Sequence, residues 1–286
     1  MAADPNELFP GKQFISTILV ALETKTAMSG ELTRRYLQRA GMAGVIIGLF
    51  YGTNFAVVAA FDAVSVAGGS LYSLGRIAGA LAFGWALVFI YYSKSELLTS
   101  NMMIVAIGGY HHRTTWGKAL RLLGLCFLGN FLGGLFVAVL VRFSTLVDGA
   151  SLLEMQASVD HKLEFITAGA TGWADLFIRA VLCNFMINMA MLLVYNGLIT
   201  GDLTKSLVMI VSVFIFAFLG LEHSVANTVL FTIVGLKEGI DLGPAAANVA
   251  IALVGNFLGG GVLIGLYYAY VNDDGRYRGT RSPATR

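Results

Sequence analysis

The feature that most constrains this chain is a set of long runs without charge. No acidic or basic side chain falls between Arg39 and Asp62, Arg121 and Arg142, Arg179 and Asp202, or Asp241 and Asp273. A helix needs about 20 residues to cross the hydrocarbon of a bilayer, and each run can hold them. Charged residues make up only 13% of the chain, against roughly a quarter in soluble domains. Mean hydropathy is +0.74. So much apolar surface calls for lipid as solvent, and the fold class expected is an all-α polytopic membrane protein. A net charge of +2 points to no nucleic-acid partner. Cys126 and Cys183 sit within apolar runs and read as small buried hydrophobes, neither a disulfide framework nor a metal site. No basic-then-apolar signal peptide stands before the first run.

Two further apolar regions differ. They run from about Arg76 to His112 and from about Leu203 to Lys237. Each is too long for one ordinary span and too short for two spans with a loop. Polar residues interrupt each near its middle: Lys94-Ser95-Glu96 then Thr99-Ser100-Asn101, and Glu222-His223-Ser224 then Asn227. This pattern predicts half-helix, irregular segment, half-helix. Irregular backbone at membrane depth persists only where protein or a water-filled cavity satisfies it, so the breaks point at a path.

Six crossing elements result, the second and fifth broken, with both ends on one side. Lys12, Lys25, Arg34, Arg35 and Arg39 precede the first span. Arg113, Lys118, Arg121, Lys205 and the tail residues Arg276, Arg278, Arg281 and Arg286 share that side. The other side has Arg76, Arg142, Lys162 and Lys237. The positive-inside rule places both termini in the cytoplasm. The expected division is an N-terminal segment over 1–40, a channel domain over 41–272 and a tail over 273–286. Phe14 to Ala27 fits an interfacial amphipathic helix, on a weak pattern.

The two broken regions are copies. Glu96-Leu97-Leu98-Thr99-Ser100-Asn101 recurs as Glu222-His223-Ser224-Val225-Ala226-Asn227. Gly129-Asn130-Phe131-Leu132-Gly133-Gly134 recurs as Gly255-Asn256-Phe257-Leu258-Gly259-Gly260. One shift of 126 positions (96 to 222, 101 to 227, 129 to 255) relates them all. Three spans per half, an odd number, predict two inverted repeats, about 41–143 and 173–272, whose breaks meet near the midplane. The glycines also read as close helix packing.

His223 is the one histidine expected at membrane depth, since His111, His112 and His161 fall in connections. Charge is costly there, so the imidazole should be neutral most of the time. A neutral ring still donates a hydrogen bond to an anion, and a protonated one can pass it a proton. Free N–H groups of the half-helices favour negative charge at the same point. Thr99 is expected to bond the histidine, the permeant or its own helix backbone. Asn184, polar in an apolar run, reads as a brace for the second break or as interhelical glue. Glu96 and Glu222, with Asn101 and Asn227, are expected to brace the breaks outside the pore, the carboxylates by accepting from backbone N–H groups. Lys94 either pairs with Glu96 or snorkels. Arg179, one turn after Asp175, pairs with it.

These motifs, above all Gly220-Leu221-Glu222-His223-Ser224-Val225-Ala226-Asn227 and Leu182-Cys183-Asn184, resemble the formate–nitrite transporter family over about Leu32 to Tyr270. The resemblance implies an aquaporin-like six-helix protomer, a homopentamer in the inner membrane with one pore per protomer, and no cofactor. Its permeants are a small anion (formate, nitrite, hydrosulfide or lactate) and a proton. Carried onto this sequence, one apolar constriction is Phe83 and Phe216. The other is Leu87 and Leu98, with Leu97 and Ile187 nearby. His223 and Thr99 lie between them, braced by Asn184. An apolar ring resists a bare anion because desolvation is costly, and a proton taken at the histidine removes that charge. The family's anion-drawing lysine is replaced at the matching spacing by Ala168. Lys162, a few residues earlier, and Lys94 are the candidates for its task.

Bulky rings favour formate or nitrite over lactate. A neutral-solute pore is the rival reading, although neither break contains the proline of an Asn-Pro-Ala signature. A membrane enzyme is disfavoured, because one histidine comes without a nucleophile–base set or a metal cluster.

Overall fold

In the computed structural model, residues 5–66 and 68–275 are described. The tail arginines Arg276, Arg278, Arg281 and Arg286 lie outside them. Almost everything described is helix: α1 (Pro5–Leu8), α2 (Lys12–Glu31), α3 (Thr33–Asp62), α4 (Tyr72–Tyr92), α5 (Leu98–Tyr110), α6 (Trp116–Arg142), α7 (Ala150–Thr167), α8 (Ala170–Tyr195), α9 (Asp202–Phe218), α10 (Ser224–Lys237) and α11 (Leu242–Asn256). A π-helical segment (Phe257–Leu266) and α12 (Tyr267–Val271) continue α11. Two short strands, Ser65–Val66 and Gly69–Ser70, pair after α3. Among the described residues, five helices are long and apolar enough to cross a membrane: Thr33–Asp62, Tyr72–Tyr92, Trp116–Arg142, Ala170–Tyr195 and Leu242–Val271. Ser224–Lys237 is apolar but shorter.

Both interruptions fall where the polar clusters interrupt the sequence. α4 ends at Tyr92 and α5 begins at Leu98; α9 ends at Phe218 and α10 begins at Ser224. The two stops share one construction. Gly220 turns left-handed at φ 65°, and the Leu221 N–H returns to the Phe216 carbonyl at 2.9 Å. At the matching position Lys94 turns left-handed at φ 57°, and the Ser95 N–H returns to the Ile90 carbonyl at 3.0 Å. Such a stop satisfies carbonyls that a helix end leaves open, and glycine suits the turn better than lysine.

Glycine decides how closely the spans pack. A Cβ on Gly133 of α6 would overlap the Gly41 carbonyl oxygen of α3, and one on Gly259 would overlap the Val181 carbonyl oxygen of α8. The two pairs of helices therefore touch backbone to backbone, as small residues permit in lipid. In the π-helical segment, a Cβ on Gly260 would collide with Asn184 and Asn188. The widened turn thus makes room for two side chains that reach the central site.

α8 starts at Ala170, three residues before the 173 expected for the second repeat. Arg179 Nε pairs with Asp175 Oδ1 at 2.8 Å inside the helix, as their spacing of one turn suggests. α7 was not expected at all. Met155, Val159, Lys162 and Phe165 form its buried stripe, and its polar face hides the amphipathic pattern among charges. α2 spans Lys12–Glu31 and buries Phe14, Ile18 and Leu22 against the core.

Candidate functional site

The two half-helix starts, α5 and α10, are held by asparagines from the long helices behind them. Asn130 Oδ1 accepts the Leu98 N–H at 3.0 Å, while its Nδ2 donates to the carbonyls of Ala40 and Glu96, both at 2.8 Å. Asn256 repeats this: Oδ1 accepts the Ser224 N–H at 2.9 Å, and Nδ2 donates to Ala180 (2.8 Å) and Glu222 (2.9 Å) carbonyls. Both asparagines are fully buried. Each therefore fills a hydrogen-bonding gap that an interrupted helix opens in an apolar interior. The sequence reading gave these residues a packing role only. Their shared register with the breaks was the signal of a second one.

The glutamates act differently from expectation. Glu96 accepts from the Lys25 ammonium and from Asn101 Nδ2. Glu222 accepts from Lys162 Nζ at 2.7 Å and from Asn227 Nδ2. Side chains, not backbone N–H groups, satisfy both carboxylates. Asn248 joins the second cluster, with Oδ1 taking Asn227 Nδ2 at 2.9 Å and Nδ2 donating to the Lys162 carbonyl at 2.9 Å. Burial works against the charge on Lys162, but the Glu222 carboxylate beside it holds the ammonium above its ordinary range. Lys25, Asn188 and Asn248 were missed by sequence reasoning. Lys25 lies outside the constant shift, and the two asparagines carry no motif.

Three cavities follow one another. The first, about 400 Å³, is bordered by Tyr51, Arg76, Lys162, Arg179 and Glu222 and ends at Phe83 and Phe216. The second, about 20 Å³, is lined by those same two rings together with Leu87, Ile90, Leu97, Ile187 and His223. The third, about 280 Å³, shares Leu87, Ile90 and Leu97 with it and opens past Lys25, Arg39, Lys94 and Glu96. Two wide vestibules are thus separated by a small chamber. Both glutamates border vestibules, where the sequence reading kept them outside the pore. Leu98 lines none of these cavities; it is buried and its N–H is held by Asn130.

The Phe83 and Phe216 rings meet edge-on, with centroids 5.7 Å apart. Phe216 also lies parallel to the His223 ring at 5.8 Å, and Tyr51 stacks on Phe83 at 4.9 Å. His223 is 3% exposed. Its Nδ1 accepts the Ala226 N–H at 3.1 Å, capping α10. An acceptor at Nδ1 leaves the proton of a neutral ring on Nε2. Nε2 lies 3.0 Å from Thr99 Oγ1 on the other half-helix, so this N–H donates to the hydroxyl. The Thr99 carbonyl accepts from Asn184 Nδ2 and Asn188 Nδ2, each at 3.1 Å. Asn184 Nδ2 also donates to the Asn256 carbonyl at 2.7 Å, so it ties the first half-helix to the brace of the second. Lys94 borders the third cavity and lies over the Tyr91 ring at 5.1 Å. Lys25 is in the place beside Glu96 that Lys94 was expected to take.

The family model described as formate/nitrite transporter matches residues 12–270. The chain belongs to the formate/nitrite transporter family. This transporter is 27% identical over 255 residues to the formate channel FocA of Haemophilus influenzae, covering 80% of this chain and 85% of that one. It is 32% identical over 193 residues to the nitrite transporter NirC of Salmonella typhimurium, covering 66% and 68%. A solved structure titled FNT family ion channel superposes with a TM-score of 0.78 at 25% identity, over 92% of this chain and all of that one. The protein is an integral membrane transporter and not an enzyme.

Proposed function

We propose that this transporter carries small monovalent anions with a proton, formate first, through the path marked by the three cavities. One observation carries the reading. A chamber of about 20 Å³ lies between two vestibules and presents a single polar group, the His223 imidazole, among apolar walls. Cations outnumber carboxylates in both vestibules: Arg76, Lys162 and Arg179 against Glu154 and Glu222 on one side, Lys25, Arg39 and Lys94 against Glu96 on the other. The excess of positive charge concentrates anions at the mouths. A bare anion cannot cheaply enter an apolar constriction. At the chamber it takes the Nε2–H donor over from the Thr99 hydroxyl, which turns to offer its own O–H as a second donor. An anion there offsets the cost of charging the ring, so anion and proton favour each other's entry. Charging Nδ1 requires release of the Ala226 N–H, which the arriving pair must outweigh. Transfer of the Nε2 proton to the anion then leaves a neutral acid, which passes the second apolar ring, and a neutral imidazole protonated at Nδ1, which returns to the Nε2–H form before the next cycle.

In this reading Phe83 and Phe216 form one constriction and Leu87, Leu97 and Ile90 the other. Thr99 and Asn184 set the histidine and its partner helix, and Asn101, Asn227 and the glutamates hold the breaks. The recurring contacts of Asn130 and Asn256 support two inverted three-span repeats with six crossings, aquaporin-like in plan. By the family resemblance the assembly is a homopentamer in the inner membrane, and by the positive-inside rule both termini are cytoplasmic. Nitrite and hydrosulfide are the alternative permeants. The chamber's size argues against lactate.

The test is initial uptake of formate, nitrite, hydrosulfide and lactate into proteoliposomes, with and without an inward proton gradient. Formate entry accelerated by the gradient is expected. Flux of none of the four, or water and glycerol flux in their place, would overturn the reading.

A further inference from the structure

We infer that Arg76 is a positioning residue that sets the aperture of the Phe83–Phe216 constriction, and so the size limit on the permeant. The inference rests on the transport reading above. Arg76 lies in the first turns of α4, two turns before Phe83. Its Nη2 donates to the Phe218 carbonyl at 2.7 Å, and its guanidinium lies over the Phe218 ring at 5.4 Å. Phe218 is the last residue of α9, two positions after Phe216. One side chain therefore joins the helix that carries the first ring to the helix end that carries the second. The carbonyl it takes is one that α9 cannot satisfy within itself, at the helix end where a cation is favoured.

Arg179 secures the same stop from the other side. Its Nη1 donates to the Gly220 carbonyl at 3.1 Å and reaches the Leu219 carbonyl at 3.5 Å. Its Nε is taken by Asp175. Arg179 thus holds the break to α8, whereas Arg76 ties α4 to α9 at this end of the seam.

The opposite end of the α4–α9 seam supplies an independent observation. The same shift of 126 carries Arg76 to Asp202 and Tyr92 to Phe218. Tyr92 Oη donates to the Asp202 carbonyl and to its carboxylate, both at 3.2 Å. The same two register positions tie the helices at both ends of the seam. Only the end with the aromatic constriction is tied by a cation. Between the ties the helices are in close contact, with Gly84 against Ile210. Loss of one tie therefore frees the nearby ring pair rather than the whole seam.

The experiment compares Arg76→Ala, Arg76→Gln and Arg76→Lys with the unaltered protein in proteoliposomes. It reads the ratio of formate to propionate uptake, together with hydrogen exchange at the Gly220 and Leu221 amides. A difference of a methylene or two at a tight apolar site gives roughly 10- to 200-fold discrimination. The ratio is expected to fall about tenfold in Arg76→Ala: loss of a vestibule cation slows both acids alike, and the wider aperture raises propionate relative to formate. Arg76→Lys, which keeps a cationic donor, should hold the ratio near its starting value, and Arg76→Gln should fall between. Amide exchange should quicken in the same order. An unchanged ratio in Arg76→Ala, or an equal fall of both rates in all three variants, would overturn the assignment. If the unaltered protein passes neither acid, the transport reading fails instead. Exchange then decides the clamp: it stands if Arg76→Ala quickens exchange and Arg76→Lys does not, and falls otherwise.

Discussion

Thr99 Oγ1 and His223 Nε2 lie 3.0 Å apart although 124 positions separate them in the chain, one on each half-helix. The bond crosses the point where the two breaks meet, and it occupies the one donor the imidazole offers the chamber. Thr99→Val removes the hydroxyl but keeps the shape. It leaves a buried N–H without a partner, which costs about 1–3 kcal/mol. Formate uptake should fall about tenfold in Thr99→Val, while Thr99→Ser keeps most of it. Equal rates in the two variants would show that the hydroxyl has no part in permeation. Initial rates in proteoliposomes of matched protein content decide.

The Lys162–Glu222 pair is more deeply buried than its counterpart. Side-chain exposure is 8% and 2% there, against 16% and 6% for Lys25–Glu96. Removing one member of a buried pair strands the other charge, at about 3–5 kcal/mol. Lys162→Met is therefore expected to lower the melting temperature of the detergent-purified protein more than Lys25→Met does. Lys162→Met combined with Glu222→Gln should recover part of the loss. A double variant less stable than the single one would refute this account of the pair.

Much of the membrane plan was legible because lipid makes the rules strict. Charge-free runs give spans, and clusters of charged and polar residues inside an apolar run mark breaks, since irregular backbone at that depth needs protein or water to satisfy it. The constant shift exposed the matched segments; His223 stood out as the one histidine at that depth, with Thr99 in the other break. What stayed hidden depended on contacts between parts without a shared pattern. Lys25 sits on a helix of weak amphipathicity before the first span, and nothing local says that it reaches Glu96. α7 hides its buried stripe among Glu154, Asp160, His161 and Glu164. Asn188 looks like any polar residue in a span until the glycines of the π-helical segment make room for it.

Backbone contact at two glycines sets a third prediction. Gly133 and Gly259 leave no room for a Cβ against the Gly41 and Val181 carbonyls. The obstacle is backbone in both cases, so whole helices must move. Gly133→Ala and Gly259→Ala should each destabilise by at least the roughly 1–3 kcal/mol of ordinary overpacking, and lower the yield of folded protein. Gly124→Ala, on an exposed face of α6 with nothing within 4 Å of a Cβ, should be neutral or slightly stabilising. Size-exclusion profiles and melting curves of the three variants check the contrast. Normal folding of Gly133→Ala would mean that the α3–α6 approach is looser than the geometry implies.

His223 holds two tasks that one substitution separates. Its Nδ1 caps α10 through the Ala226 N–H, and its Nε2 faces Thr99. Asparagine is among the best helix caps, so His223→Asn can keep the first task with its side-chain oxygen. It cannot take a proton near neutral pH, so the second task loses its titratable group. The variant should fold and melt close to the unaltered protein. Any remaining formate flux should respond to an inward proton gradient only as far as the entry of free formic acid does. The sign follows from the coupling: in the unaltered protein uptake rises as external pH falls, because proton and anion enter together, and in the variant the slope of rate against pH should flatten toward that set by free formic acid. Uptake measured from pH 5 to 8 at fixed formate gives both slopes. An unchanged slope in a folded His223→Asn variant would place the proton's path elsewhere and leave the histidine as a cap alone.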